Sequence, residues 1–195
     1  GLTQENLLGT GQALSLNVNT DRANTVYSAS FTDPYYTVDG ISRTISASYR
    51  NRDAAQEEIA EYQSNSYGVS LSYGIPMSEV NTLRLGIGFN AIDLTVGVNP
   101  SLDVVEFIAR NGNKFDNFSL TASYSHDTRN RTVFATRGSA QTIGGNITIP
   151  GSDLEYYKLN YNTKFYFAMT EALTLLLRSD LAYGNGYGET TELPF

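Results

Sequence analysis

The chain has 195 residues, 41% of them hydrophobic, a formal net charge of −7 and a sequence pI near 4.6. Its 13 basic residues are scattered, which argues against a nucleic-acid partner, and with no Cys and only His126 there is no thiolate catalyst or Cys-based metal site. One domain is the natural count at this length, and 14 Tyr and 17 Gly without any Trp make a mixture rich in strand and turn formers.

No run of about 18 apolar residues occurs, which excludes a transmembrane helix. A transmembrane barrel stays open, because its strands show only alternation. The opening GLTQENLLGTG reads as the tail of a strand entering a turn, with neither initiator Met nor signal peptide. At the other end Glu192-Leu193-Pro194-Phe195 follows without a closing strand, so both ends read as cut from a longer protein.

Between them the period is two. Leu14, Leu16 and Val18 interleave with Ser15, Asn17 and Asn19, and Tyr27, Ala29 and Phe31 with Ser28, Ser30 and Thr32, a hairpin around Thr20 to Thr25. Ile45, Ala47 and Tyr49 follow, then Val69 to Ile75 before Pro76, Leu83 to Phe89, and Phe118 to Tyr124, each alternating with Gly, Ser, Thr, Asn or Arg84. Ile143, Gly145, Ile147 and Ile149 come next. The longest run sets Tyr157, Leu159, Tyr161, Phe165 and Phe167 against Lys158, Asn160, Asn162 and Lys164, and the last uses Leu173, Leu175, Leu177, Leu181 and Tyr183.

A soluble sandwich alternates too, but two features favour the membrane. Many segments run about 9 to 11 residues, the length of a tilted transmembrane strand, where soluble strands cluster near 5 or 6. The charges Arg84, Lys158, Lys164, Arg178 and Asp180 all fall on the polar parity, and a lipid-facing Arg or Lys at mid-membrane costs roughly 2 to 4 kcal/mol. These five are the candidate lumen-facing charges. Arg43 sits on the apolar parity, but directly after the turn DPYYTVDGIS, where its long side chain can reach headgroups. Aromatic residues collect near strand ends, at Tyr35, Tyr36, Tyr49, Tyr67, Tyr156, Tyr157, Phe165 to Phe167, Tyr183 and Tyr187, as in an interfacial girdle or as sheet packing.

Short connections (LLGTG, GIPMSEVN, AMTEAL) mostly alternate with longer ones, Arg50 to Ser66 and Ile92 to Asp116. TIPGSDLEYY is short on the long side and the turn after Asp127 is long on the short side. Ser101 is placed to cap a helical turn through Leu102, Val105 and Ile108 to a stop at Gly112, and Ala54 to Tyr62 also favours helix. Either is an expected cap over a barrel mouth or a solvated loop.

The turn after Asp127 holds the main candidate site. Asp127, Arg129, Thr136 and Gly138 suit a self-bonded turn, with Asp and Thr bonding local backbone and Gly supplying a positive φ. The alternative is a periplasmic contact made by Arg129, Arg131 and Arg137. His126 beside Asp127 has no Ser or Cys nucleophile motif with it, so catalysis is not expected. Gly184-Asn185-Gly186-Tyr187-Gly188 lacks a following helix pattern and reads as a loop hinge rather than a nucleotide fingerprint.

Four runs in order, DPYYTVDG, NSYGVSLSYGIPMSEVNTLRLGIGF, DTRNRTVFATRGS and TIPGSDLEYYK, resemble the barrel of the BamA family of outer-membrane protein assembly factors over essentially the whole chain. The departure is Ala135, where the family's turn has Pro before Thr-x-Gly, which loosens that turn. The resemblance implies an all-β fold, an antiparallel transmembrane β-barrel of which residues 1–195 hold about ten strands of sixteen, the second to the eleventh, with no POTRA domain. It also implies an integral protein of the bacterial outer membrane, without enzymatic activity or cofactor, whose turn motif is Asp127, Arg129, Phe134, Thr136 and Gly138.

By the same resemblance the protein is the central component of the β-barrel assembly machinery, folding other β-barrel proteins into the membrane through a lateral seam. The implied partners are nascent outer-membrane β-barrel proteins, outer-membrane lipid, and accessory assembly lipoproteins reached mainly through the POTRA domains. Neither side of the seam is in this chain, so no gating residue carries over. A related secretion transporter, a passive outer-membrane pore and a soluble β-sandwich binding module are the alternatives. Ten segments with unpaired edges are expected to aggregate or to depend on the missing strands.

Overall fold

A computed structural model describes residues 1–53, 62–97, 100, 102–170, 173–188 and 190. Ten strands form one antiparallel sheet in chain order: β1 (Leu2–Gln4), β2 (Ala13–Thr20), β3 (Asn24–Asp33), β4 (Ser42–Asp53), β5 (Tyr62–Pro76), β6 (Asn81–Val96), β7 (Lys114–Asp127), β8 (Gly138–Thr148), β9 (Tyr156–Ala168) and β10 (Thr174–Gly186). Helix α1 (Leu102–Asn111) lies between β6 and β7. Connections 5–12, 34–41, 77–80, 128–137 and 169–173 fall at one end of the meander, called here the turn end. The other end is the loop end.

Register turns the alternation of single strands into two faces, because direct partners point the same way. Phe31, Ile45, Leu71, Ile87, Leu120 and Ile147 are successive partners across six strands. One residue over, Thr32, Thr44, Ser72, Gly86, Thr121, Asn146 and Lys158 form the matching polar row, opened by a Thr32–Thr44 hydroxyl pair at 3.1 Å. Ile87, Leu120, Ile147 and Leu159 stay 44–56% exposed, so among the described residues nothing covers this part of the apolar face.

A second row shows what strand tilt does to residues that are level in register. Arg43, Tyr73, Leu85, Ala122, Gly145, Leu159 and Tyr183 are successive partners; Arg43 is near the turn end of β4 and Tyr183 near the loop end of β10. With strands about 4.8 Å apart and tilted about 40°, six such steps climb about 18 Å. In a bilayer that tilt would put Arg43 at the edge while Ala122, level with it in register, would sit inside. The Arg43 guanidinium lies 4.1 Å from the centroid of the Tyr36 ring, an aromatic cover suited to that boundary.

Aromatic rings cluster at both edges of the apolar face. Tyr27, Tyr49 and Tyr67 stack in succession at 6.1 and 4.9 Å, and Tyr157 meets Tyr183 at 6.2 Å, all toward the loop end. Tyr36 meets Tyr73 at 5.8 Å, and Phe165 meets Phe167 at 6.4 Å, toward the turn end. Tyr156, expected with this group, belongs to the polar face, because its partner parity on β9 is that of Lys158, whose ammonium lies 5.0 Å from the Tyr156 ring.

The strands also outrun the expected length: β5 has 15 residues, β6 has 16 and β7 has 14. The ladders continue past the apolar band at the loop end, where both faces meet protein or water and alternation carries no signal. There α1 packs on the polar face, with Val104 and Phe107 buried against Tyr62, Leu94, Phe115 and Leu154. The helix ends as expected at Gly112, whose φ is +86° and whose N–H donates to the Ile108 carbonyl at 2.8 Å. Of the residues that mark this helical turn in the sequence, Leu102 is 79% and Val105 44% exposed, and only Ile108 joins the packing. The apolar residues circle most of the helix, so the sequence alone leaves its rotation open. Ser101 and residues 54–61 lie outside the described residues. Gly184 to Gly186, expected as a loop hinge, still pair with Lys158 to Tyr156 at the end of β10.

Candidate interaction site at the turn end

The connection between β7 and β8, residues 128–137, is closed by a clamp of side chains. The Thr128 N–H donates to the Ser139 carbonyl at 2.8 Å and the Asn130 N–H to the Arg137 carbonyl at 3.1 Å, which extends the ladder two rungs beyond the strands. Thr128 Oγ1 accepts from the Ser139 N–H at 3.1 Å. The Asn130 amide oxygen accepts from the N–H groups of Thr136 and Arg137 at 3.0 and 3.2 Å, and its Nδ2 donates to Thr136 Oγ1 at 2.9 Å. One Asn side chain therefore satisfies two backbone N–H groups that lack ladder partners and ties down a hydroxyl, as its amide of both polarities allows.

Asp127 and Arg129 brace the entry. The Arg129 fork donates Nε to Oδ1 at 2.9 Å and Nη2 to Oδ2 at 2.6 Å, and its backbone N–H reaches Oδ1 at 3.0 Å. Asp127 lies beyond the apolar band, whose last β7 member is Tyr124. The Arg129 side chain, with the backbone bond behind it, holds the Asp127 carboxyl below the usual carboxylate range, and Asp127 raises Arg129 in turn. Gly138 closes the clamp at φ +96°, where a Cβ would stand 2.2 Å from the Thr128 carbonyl oxygen, so only Gly fits.

The clamp projects a tip. Val133 is 67% exposed, and Phe134 is 88% exposed at φ +54°, a left-handed conformation costly for a bulky side chain. The four other turn-end connections, 5–12, 34–41, 77–80 and 169–173, each carry one acidic residue and no basic one, whereas 128–137 carries Arg129, Arg131 and Arg137. This turn is the cationic point of that end.

His126 and Asp127 do not act together, since adjacent strand residues point to opposite faces. His126 is on the outward, apolar-parity face, its Nδ1 2.7 Å from Asn81 Oδ1, which also accepts from the Tyr124 hydroxyl at 2.8 Å. Asn81 Nδ2 donates to Ser78 Oγ at 2.8 Å, which fixes that amide and makes Nδ1 the protonated ring nitrogen. His126 begins a feature the sequence pattern does not reveal: Asn81, His126, Gln141, Thr163 and Ser179 are successive partners on the apolar-parity face. The signal was present only as skipped beats, Thr163 between Tyr161 and Phe165 and Ser179 between Leu177 and Leu181. Asn130, Thr128 and Ser139, which carry the clamp, were likewise not separable from other polar turn residues by sequence.

Register puts Arg84, Lys158, Lys164, Arg178 and Asp180 on the polar face. Lys164 and Arg178 are direct partners, and Arg178 Nε donates to Asp180 Oδ2 at 2.6 Å, which tempers the like-charge pair.

The whole sheet, with this turn inside it, matches the Omp85 superfamily domain over residues 6–195. The chain belongs to the Omp85 superfamily. It is 27% identical over 206 residues to the outer membrane protein assembly factor BamA of Neisseria meningitidis serogroup B, covering all of this chain and 26% of that protein. The crystal structure of BamA from Haemophilus ducreyi lacking POTRA domains 1-3 superposes with a TM-score of 0.86 at 28% identity, over 97% of this chain and 38% of that one. The chain thus spans about a quarter of the curated relative's length. The ten strands are a partial, BamA-like Omp85 barrel of the outer membrane.

Proposed function

We propose that the chain is part of the barrel of a BamA-type factor that inserts and folds other β-barrel proteins into the outer membrane. The observation that carries this reading is agreement with BamA in both sequence and fold across the entire sheet. In this reading the turn end faces the periplasm, because the longest connection, 97–113 with α1, lies at the other end. Arg84, Lys158, Lys164, Arg178 and Asp180 line the wet lumen, where charge costs little, and nascent outer-membrane β-barrel proteins are the substrates. The chemistry is strand pairing and lipid displacement rather than bond making.

Asp127, Arg129, Thr136 and Gly138 serve the clamp, and through it they hold Phe134 and the turn arginines outward. Depletion of the parent protein in its own cells tests the reading. Folded outer-membrane barrels, scored by heat-modifiable migration, are expected to fall while their unfolded forms accumulate in the periplasm; unchanged barrel levels with loss of one secreted protein would point to a dedicated transporter.

A further inference from the structure

Three features meet at the turn end of β7 and β8. The first is the cationic, apolar-tipped turn itself. The clamp uses Thr128, Asn130, Thr136, Ser139 and the backbone of Arg137, so the side chains of Arg131 and Arg137 flank Val133-Phe134 without a part in it. The second is the polar row on the outward face. At about 40° of tilt it starts at the membrane edge at Asn81 and His126 and climbs about 12 Å into the apolar band by Ser179. These side chains keep protein partners, His126 on Asn81 and the Gln141 amide between the Tyr161 hydroxyl at 2.8 Å and Ser139 Oγ at 3.3 Å, and a polar row this close to the membrane edge suits the depth of glycerol esters, where water and ester oxygens add to those bonds.

The third is a groove. Ala122 and Gly145 are direct partners with small side chains, flanked by Leu85 and Ile87 on one side and Tyr157 and Leu159 on the other. The depression is about 710 Å³ and almost wholly apolar. On β7 it is lined by Leu120 and Ala122, and it extends across the strands from Leu71 and Tyr73 to Tyr157 and Leu159.

We propose that these features form one binding site for an anionic phospholipid of the adjoining leaflet. The phosphate meets the Arg131 and Arg137 guanidiniums, the glycerol region rests on Gln141 and His126, and one acyl chain fills the Ala122–Gly145 groove. Val133 and Phe134 sit at the headgroup boundary, which accounts for an exposed Phe held in a costly conformation. The charge argues for an anionic lipid: this is the basic connection at its end, in a chain of net charge −7. The assignment rests on the outer-membrane reading of the sheet.

The full-length parent protein, reconstituted in nanodiscs, tests it in two ways. A spin label at Val133→Cys is expected to be more accessible to oxygen than to a water-soluble nickel complex, at a depth just below the phosphates, with a label at Ile147→Cys in the band as reference. A lipid reading at 147 with an aqueous reading at 133 overturns the site and leaves the barrel standing; aqueous readings at both sink the membrane assignment itself.

In the second, native mass spectrometry counts phosphatidylglycerol retained against phosphatidylcholine. Arg131→Gln and Arg137→Gln are each expected to lower the preference for the anionic lipid by about fivefold, less at high salt. Gly145→Leu, which fills the groove without touching the turn, is expected to lower retention of both lipids. Unchanged retention in all three variants, or a label at 133 shielded only when a periplasmic domain of the protein is present, assigns the turn to a protein contact and overturns the proposal.

Discussion

The two ends of this sheet are held together by different physics. At the loop end an apolar cluster inside the polar face, Val104, Phe107, Phe115 and Leu154, anchors α1 by burial. At the turn end the connection between β7 and β8 has little apolar cover and is fixed by oriented hydrogen bonds around Asn130 and by a glycine that admits no side chain. The first arrangement tolerates exchange of similar volumes; the second depends on individual atoms and leaves its apolar residues outside, available to a neighbour.

Unfolding of the barrel in detergent, followed by loss of heat-modifiable migration, can break this contrast. Phe115→Ala, at 1% exposure, should show the largest effect, a loss of about 3 to 5 kcal/mol with α1 released to proteolysis. A loss below 1 kcal/mol would mean that the loop-end cluster does not anchor the helix. Gly138→Ala should cost about 3 kcal/mol, since backbone at 2.2 Å must move, and should leave the helix protected.

Asn130→Ala should cost about 1 to 2 kcal/mol and raise amide exchange at Thr136 and Arg137 while sparing the strand interiors. Phe134→Gly carries the opposite sign: it should stabilise by up to about 1 kcal/mol, because it relieves φ +54° and removes no internal contact of a side chain that is 88% exposed. Destabilisation there would place Phe134 in the fold instead.

The smallest effect belongs to Asp127→Asn, under about 1 kcal/mol for a partly exposed pair. Its pH dependence is the sharper reading. Asp127 is depressed in the folded protein, so its contribution is complete above the ordinary carboxylate value of 3.8 and disappears as pH falls through the lower folded value. Amide exchange in the turn should be flat from pH 5 upward after correction for intrinsic rates, and the difference between wild type and D127N should vanish in acid.

Much of the barrel was legible because its constraint is local. Each strand must turn one face to lipid, so Leu14 to Val18, Val69 to Ile75 and Phe118 to Tyr124 announce their faces without reference to any neighbour. The turn was legible by residue type, through Asp127, Thr136 and Gly138, though its central bond-former, Asn130, was not distinguished from the arginines beside it. Tyr156 misled, because an aromatic at a strand end serves a membrane edge or a lumenal core equally well, and the choice depends on parity counted from a strand start that sequence places poorly.

What the sequence determined by itself is therefore everything repeated at period two: an all-β chain, the order of its strands, the apolar and polar parities, and the glycine-closed turn. The tertiary structure decided what requires register between strands. Asn81, His126, Gln141, Thr163 and Ser179 are remote in sequence and form a polar row only because five strands pair at one offset. The groove at Ala122 and Gly145 and the rotation of α1 arise in the same way. A solvent face is set by each residue's own hydration, whereas a site is set by the distance between residues, and in a sheet that distance is fixed by hydrogen bonds between chain segments that local pattern does not specify.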